Sequence, residues 1–199
     1  MKSYYKKKVI EAGCDEAGRG CIAGPVFAAA VILPADLKIE GLNDSKLLSA
    51  KERSRLRTEI EKKAIAWSVA KCSEDEIFKH NILRASLMAM HKALRGLSVY
   101  PEFILVDGNR FVPFDEVEHF CVIKGDSKFT SIAAASVLCK FYRDEYMLAL
   151  HEKYPVYKWS KNKGYPTIEH RKAITTYGSC EYHRKGFRLL SEKPVEKLF

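Results

Sequence analysis

Val9-Ile10-Glu11-Ala12-Gly13-Cys14-Asp15-Glu16-Ala17-Gly18-Arg19-Gly20 is the stretch on which the fold turns. Its apolar first half reads as a strand, and the acid pair followed by two glycines reads as the loop into which that strand runs. Val26 to Leu33, bounded by Pro25 and Pro34, fits a neighbouring strand. Further along, Ser49-Ala50-Lys51-Glu52 and Ser73-Glu74-Asp75-Glu76 have the Ser-x-x-Glu form of a capping box. Leu56, Ile60 and Ala64 follow the first at helical spacing, and Trp67 to Ala70 reads as a short strand between the two helices. Leu83, Leu87, Met90 and Leu94 follow the second box on one helix face that ends at Gly96. Phe103 to Val106 is a short buried-type strand stopping at Asp107-Gly108, and His119 to Ile123 is the next. Ile132-Ala133-Ala134-Ala135-Ser136-Val137-Leu138 is small and apolar on nearly every side, the composition of a helix buried all round. From Tyr154 on, Pro155, Gly164, Pro166, Gly178 and Gly186 interrupt the periodicity. The order predicts one α/β domain with a short C-terminal extension.

The chain has 199 residues, of which 47% are apolar and 30% charged, a globular rather than disordered composition. No run is long and apolar enough for a membrane span, and the basic start, Met1 to Lys8, leads into Val9-Ile10-Glu11 rather than an apolar signal core. The six cysteines, at 14, 21, 72, 121, 139 and 180, include no C-x-x-C pair, a spacing that supports neither a zinc site nor a disulfide framework and predicts a reduced, cytoplasmic protein. Lys and Arg number 34 against 25 Asp and Glu, a net charge of +9 that points to a polyanionic partner.

Against that basic background, Asp15-Glu16 and Asp107 follow apolar strands, and Asp126 precedes the buried helix. Singly, each suits a turn or a cap. Together they are four carboxylates that strand-to-loop transitions gather at one sheet edge. Such a cluster repels itself unless a divalent cation lies between the acids, and oxygen ligands without His or Cys suit Mg²⁺ or Mn²⁺. Carboxylate-held metals acting on a polyanion perform phosphoryl transfer, which makes the chain a nuclease or polymerase-type candidate. Neighbours on a regular strand point to opposite faces. Joint use of Asp15 and Glu16 therefore calls for a bulge or bend near Gly13, or for a Glu16 contribution through its carbonyl or a longer reach.

Gly13-Cys14-Asp15-Glu16-Ala17-Gly18-Arg19-Gly20 closely resembles the G-x-D-E-A-G-R-G motif of the ribonuclease HII family, the type 2 ribonucleases H. The family's other landmarks follow in order: Asn43-Asp44-Ser45-Lys46, Asp107-Gly108, Gly125-Asp126-Ser127-Lys128, Arg143-Asp144, and Gly164-Tyr165-Pro166-Thr167 with His170. The likeness runs from Val9 to Leu190. Type 3 enzymes are the nearest relatives, but they carry an N-terminal platform domain and lack the Arg of G-R-G. Arg19, and eight residues ahead of the first strand, favour type 2.

The resemblance implies a ribonuclease H-like α/β fold, a five-stranded mixed sheet flanked by helices, over a single domain 1–199 whose residues 154–199 form a helical, substrate-binding C-terminal extension. It implies cleavage of the RNA strand of RNA–DNA hybrids and incision 5′ of ribonucleotides embedded in duplex DNA, leaving 3′-hydroxyl and 5′-phosphate ends, as in ribonucleotide excision repair. Asp15, Glu16, Asp107 and Asp126 match the acidic quartet that holds two Mn²⁺ or Mg²⁺ ions. Gly18, Arg19 and Gly20 match the ribonucleotide sensor, which must detect a 2′-hydroxyl. Lys46 and Lys128 stand where the family contacts phosphate, and Tyr165 where a ring packs on the following deoxyribose. Pro166 departs from the residues common after that tyrosine and stiffens the loop. A non-catalytic hybrid-binding protein of the same fold is the alternative. The four acids argue against it, because a binder gains nothing from carboxylates set against phosphates. The expected protein is a monomer with nucleic-acid partners and no membrane association.

Residues 158–188 hold eight Lys and Arg against Glu169 and Glu181, interleaved with Tyr157, Trp159, Tyr165 and Tyr182, a pattern that suits backbone grip and sugar stacking. The lysines and tyrosines of residues 2–8 read as a frayed, solvated terminus, Asp144 as a partner for Arg143, and His170 and His183 as packed rather than catalytic.

Overall fold

The structure is a computed structural model that describes residues 1–43, 45 and 47–190; Lys46 lies outside the described residues. Strands β1 (Glu11–Ala17), β2 (Val26–Ile32), β3 (Ala66–Cys72), β4 (Phe103–Asp107) and β5 (Glu118–Val122) form one mixed sheet in the order β3-β2-β1-β4-β5. The β1, β2 and β3 strands run antiparallel as a meander, while β4 and β5 add parallel to the other side of β1. Every residue of β2 is buried, as its continuous apolar sequence requires of a strand covered on both faces.

Helices α1 (Ala50–Lys63) and α3 (Thr130–Lys153) cover one face of the sheet, and α2 (Glu74–Arg95) covers the other. Both capping boxes form in both directions, Ser49 with Glu52 and Ser73 with Glu76. The α2 helix kinks at Asn81, whose φ of 63° breaks the turn and whose side chain caps the second half by accepting from the Arg84 N–H at 3.1 Å. Past that kink Ala85, Ala89, Met90, Ala93 and Leu94 form the buried face, while Leu83 and Leu87 sit at its half-buried border. Residues 130 to 139 of α3 are buried without interruption, as their small apolar composition predicts.

No bulge forms near Gly13: β1 pairs residue for residue with β2 from Ala12 to Ala17. The glycine serves a close approach instead. A Cβ there would lie 2.2 Å from the Ser131 carbonyl carbon and 2.5 Å from the Ile132 nitrogen, so α3 enters the sheet over a residue without a side chain. The N-terminus is docked rather than frayed. The Lys2 backbone bonds to Lys128 and Thr130, and the Tyr5 ring stacks 4.8 Å from Phe120.

After α3 the chain makes a 3₁₀ turn at Pro155–Tyr157 and then α4 (Trp159–Asn162) and α5 (Ile168–Tyr177). This segment packs on α3 through a third cluster that includes Met147, Trp159 and Ile174. Backbone bonds from Ile22 to Gly164, Gly24 to Tyr182 and Arg184 to Ile22 tie it to the loop after β1. Tyr157 and Trp159 are therefore core residues, not a stacking platform for nucleic acid. No helix among the described residues is long and apolar enough to cross a membrane.

Gly13→Ala should destabilise the protein by about 3 kcal/mol, as an added methyl does in a filled core. Urea unfolding measures the loss, and an unchanged midpoint would mean that α3 does not need the bare glycine.

Candidate active site

The parallel register that sets Cys14 opposite Val106 brings Asp15 level with Asp107, so two acids meet where adjacent strands end. Asp15 is only 6% exposed and takes hydrogen bonds from the Ser136 hydroxyl of α3 and from the Glu16 N–H, the latter at 2.7 Å. Burial, and then the neighbouring charges of Glu16 and Asp107, hold its carboxyl well above the usual carboxylate range. Because β1 is regular, Glu16 points to the opposite face. It lines a cleft of about 150 Å³ with Asp107, Arg19 and residues of α2, and its carboxylate accepts from Arg19 at 2.9 Å.

Asp107 accepts from the Gly125 N–H at 2.7 Å. Gly125 opens the short 3₁₀ turn in which Asp126, 5% exposed, comes next. Asp15, Glu16 and Asp107 thus lie within electrostatic reach of one another, and Asp126 stands one residue from a direct partner of Asp107. Among the described residues no three carboxylate, imidazole or thiol groups stand close enough together to hold a metal ion. Asp15, Glu16 and Asp107 each take a different donor, as mutually repelling charges do. Their chemistry nonetheless fits a hard divalent cation: the donors are all oxygens, and a buried carboxylate beside two others is the conflict that such an ion relieves.

Beside the acids runs the loop of Gly18, Arg19 and Gly20. Gly18 has φ +97°, and a Cβ there would lie 2.0 Å from Arg143 Nε, so both backbone and space demand glycine. A Cβ on Gly20 would come 3.9 Å from the Tyr165 ring, which is 40% exposed and lies over the Arg143 guanidinium at 5.9 Å. Tyr165 is thus the member of its aromatic group that the fold presents next to the loop. Its carbonyl accepts from His170 Nδ1 at 2.8 Å. His183 Nδ1 accepts from the Cys180 N–H, which leaves its proton on Nε2, 3.2 Å from His170 Nε2. Burial, and then His170, hold His183 down at about 4, and burial also lowers His170, so both rings are neutral structural parts. Lys128 is exposed and its ammonium donates to the Ile123 carbonyl at 2.8 Å.

Asp144 pairs with Arg53 and Lys140, not with Arg143. Arg143, the preceding position on α3, donates instead to the Lys163 and Ala23 carbonyls. Arg143, which the sequence offers as a landmark of the resemblance and a partner for Asp144, and Arg184, which it leaves among the basic residues of 158–188, are both fully buried. The only sequence hint is that a glycine-rich loop needs donors for its carbonyls, and no pattern says which residue provides them.

A family model described as Ribonuclease HII matches residues 12–190. The chain is 59% identical to the ribonuclease HII of Bacteroides thetaiotaomicron over 95% of this chain and 94% of that protein. It is 60% identical to that of Parabacteroides distasonis, with 96% of each covered. In structure it is similar to the ribonuclease H2 from Pyrococcus horikoshii, with a TM-score of 0.76 and 25% identity over 90% of this chain and 94% of that one.

With its folded pKa raised, Asp15 binds protons more tightly in the folded than in the unfolded chain. Stability should therefore fall as pH rises from the ordinary carboxylate range through the raised Asp15 range. In metal-free buffer at neutral pH, Asp15→Asn should raise the melting temperature, by roughly 2–4 °C for each kcal/mol of repulsion relieved. A lower melting temperature in the variant would contradict the repulsion.

Proposed function

The chain belongs to the ribonuclease HII family, and from that premise we propose how its residues divide the work of a metal-dependent endoribonuclease acting on RNA–DNA hybrids. The observation that carries the assignment is the β1–β4 register, which sets the buried Asp15 level with Asp107 where the two strands end, with Glu16 next to it. Asp15, Glu16, Asp107 and Asp126 are the residues that would hold Mn²⁺ or Mg²⁺, two ions once substrate is bound. Such ions supply an activated water and stabilise the leaving oxygen in phosphodiester hydrolysis.

The protein's own part is to place the scissile phosphate. The Gly125 N–H orients Asp107, and the backbone of β1 and the Ser136 hydroxyl orient Asp15. Gly18, Arg19 and Gly20 detect the 2′-hydroxyl of the ribonucleotide, with Arg19 released from Glu16 to meet phosphate. Tyr165 packs on the sugar that follows, where a 2′-hydroxyl would crowd the ring. The cut then falls 5′ of an embedded ribonucleotide and leaves 3′-hydroxyl and 5′-phosphate ends. Lys128 contacts phosphate from the exposed rim, and Lys46, outside the described residues, is assigned the same role on its motif. Segment 154–199, of which 191–199 lie outside the described residues, is the substrate-binding part of a single domain, and the protein acts as a monomer in the cytoplasm. A non-catalytic hybrid binder is disfavoured by family membership and by the buried acids.

A duplex carrying one ribonucleotide, incubated with Mg²⁺ or Mn²⁺, tests the assignment. Wild-type protein should incise 5′ of the ribonucleotide, and Asp107→Asn should lose at least about 1,000-fold, the scale on which electrostatic stabilisers act. Equal activity in the variant would remove Asp107 from the site. Tyr165→Ala should retain metal-induced stabilisation but lose preference for the RNA-to-DNA junction on mixed strands; an unchanged cleavage pattern would exclude the packing role.

A further inference from the structure

Arg184 is 0% exposed, and among the described residues its guanidinium donates to main-chain carbonyls of one loop. Its Nε donates to Gly24 at 2.8 Å, one terminal nitrogen to Arg19 at 3.1 Å and Cys21 at 2.8 Å, and the other to Gly18 at 2.8 Å. A guanidinium offers five donors in a rigid plane, so it can fix several carbonyls at once where a flexible ammonium cannot. In a trans peptide unit the C=O and the following N–H point in opposite directions. Carbonyls of Gly18 and Arg19 drawn in towards Arg184 therefore turn the amides of Arg19 and Gly20 away from it. Among the described residues neither amide has an acceptor within the chain.

We propose that Arg184 is the positioning residue for ribonucleotide recognition: from the protein interior it aims the Arg19 and Gly20 amides at the nucleic acid. The proposal rests on the reading that Gly18, Arg19 and Gly20 sense the ribose. The direction of the loop amides is thereby set from a segment more than 160 residues away in sequence. The Arg184 N–H donates to the Ile22 carbonyl and Ala23 bridges His183, so the guanidinium is itself held by backbone pairing. Arg143 supports the arrangement from α3. Its Nε lies where a Gly18 side chain would be, and its terminal nitrogens donate to the Ala23 carbonyl within the loop and to the Lys163 carbonyl of the C-terminal segment.

A role confined to stability would lower activity on every substrate alike, whereas misaimed amides would lower selectivity. Two duplexes of one sequence separate these outcomes, one with a single ribonucleotide and one a uniform RNA–DNA hybrid that offers a 2′-hydroxyl in every register. Arg184→Lys should reduce kcat/KM on the single-ribonucleotide duplex on the order of 100-fold, the cost of a small misplacement, and reduce it on the hybrid by less than about tenfold. Ile174→Ala, a change in the buried cluster that packs the C-terminal segment on α3, should lower the melting temperature and leave the ratio between substrates intact. An unchanged ratio in Arg184→Lys, or the same ratio change in both variants, overturns the proposal. Amide hydrogen exchange on the Asp107→Asn protein bound to the single-ribonucleotide duplex gives a reading independent of any change at Arg184. Protection of Arg19 and Gly20 is expected, and its absence overturns the sensor reading together with the proposal. Protection combined with an unaltered Arg184→Lys overturns the positioning role alone.

Discussion

A carboxylate buried against α3, with two further acids in reach of its charge, is the condition around which this protein is organised. Asp15 cannot move away from Glu16, its chain neighbour, or from Asp107, its neighbour across the parallel β1–β4 register. Holding these charges together costs stability, and the surroundings oppose that cost with fixed dipoles. The Ser136 hydroxyl and the Glu16 amide donate to Asp15, the Gly125 amide to Asp107, and Arg19 pairs with Glu16. The bare backbone at Gly13 belongs to the same solution, because it lets α3 come close enough to bring Ser136 over the strand end.

The second group of parts concerns recognition rather than charge. Gly18 to Gly24 is a loop with few side chains to hold it, and its shape is supplied from a distance. Two buried guanidiniums bind its carbonyls, one from α3 and one from the end of the C-terminal segment. The histidine pair, Trp159 and Tyr157 lock that segment, which in turn sets the Tyr165 ring beside Gly20. The excess positive charge of the chain is accordingly of two kinds. Most of the lysines face solvent, while Arg143 and Arg184 face inward and serve the backbone.

What the sequence by itself determined was local and compositional: the strands, the two capping boxes, the helix buried all round, and the acids at strand and helix ends. These are legible because periodicity and capping depend on neighbours within four residues. The motif Gly13 to Gly20, read as a resemblance, carried the family and the acid set. The tertiary structure alone decided the rest. It kept β1 regular and divided Asp15 and Glu16 between two faces. It put Tyr157 and Trp159 in the core, gave Asp144 to Arg53 and Lys140, and buried Arg184 beneath the sensor loop. Each of these depends on contacts between segments far apart in the chain. A residue's type limits what it can bond, but only the folded chain determines which carbonyl, ring or charge lies within reach.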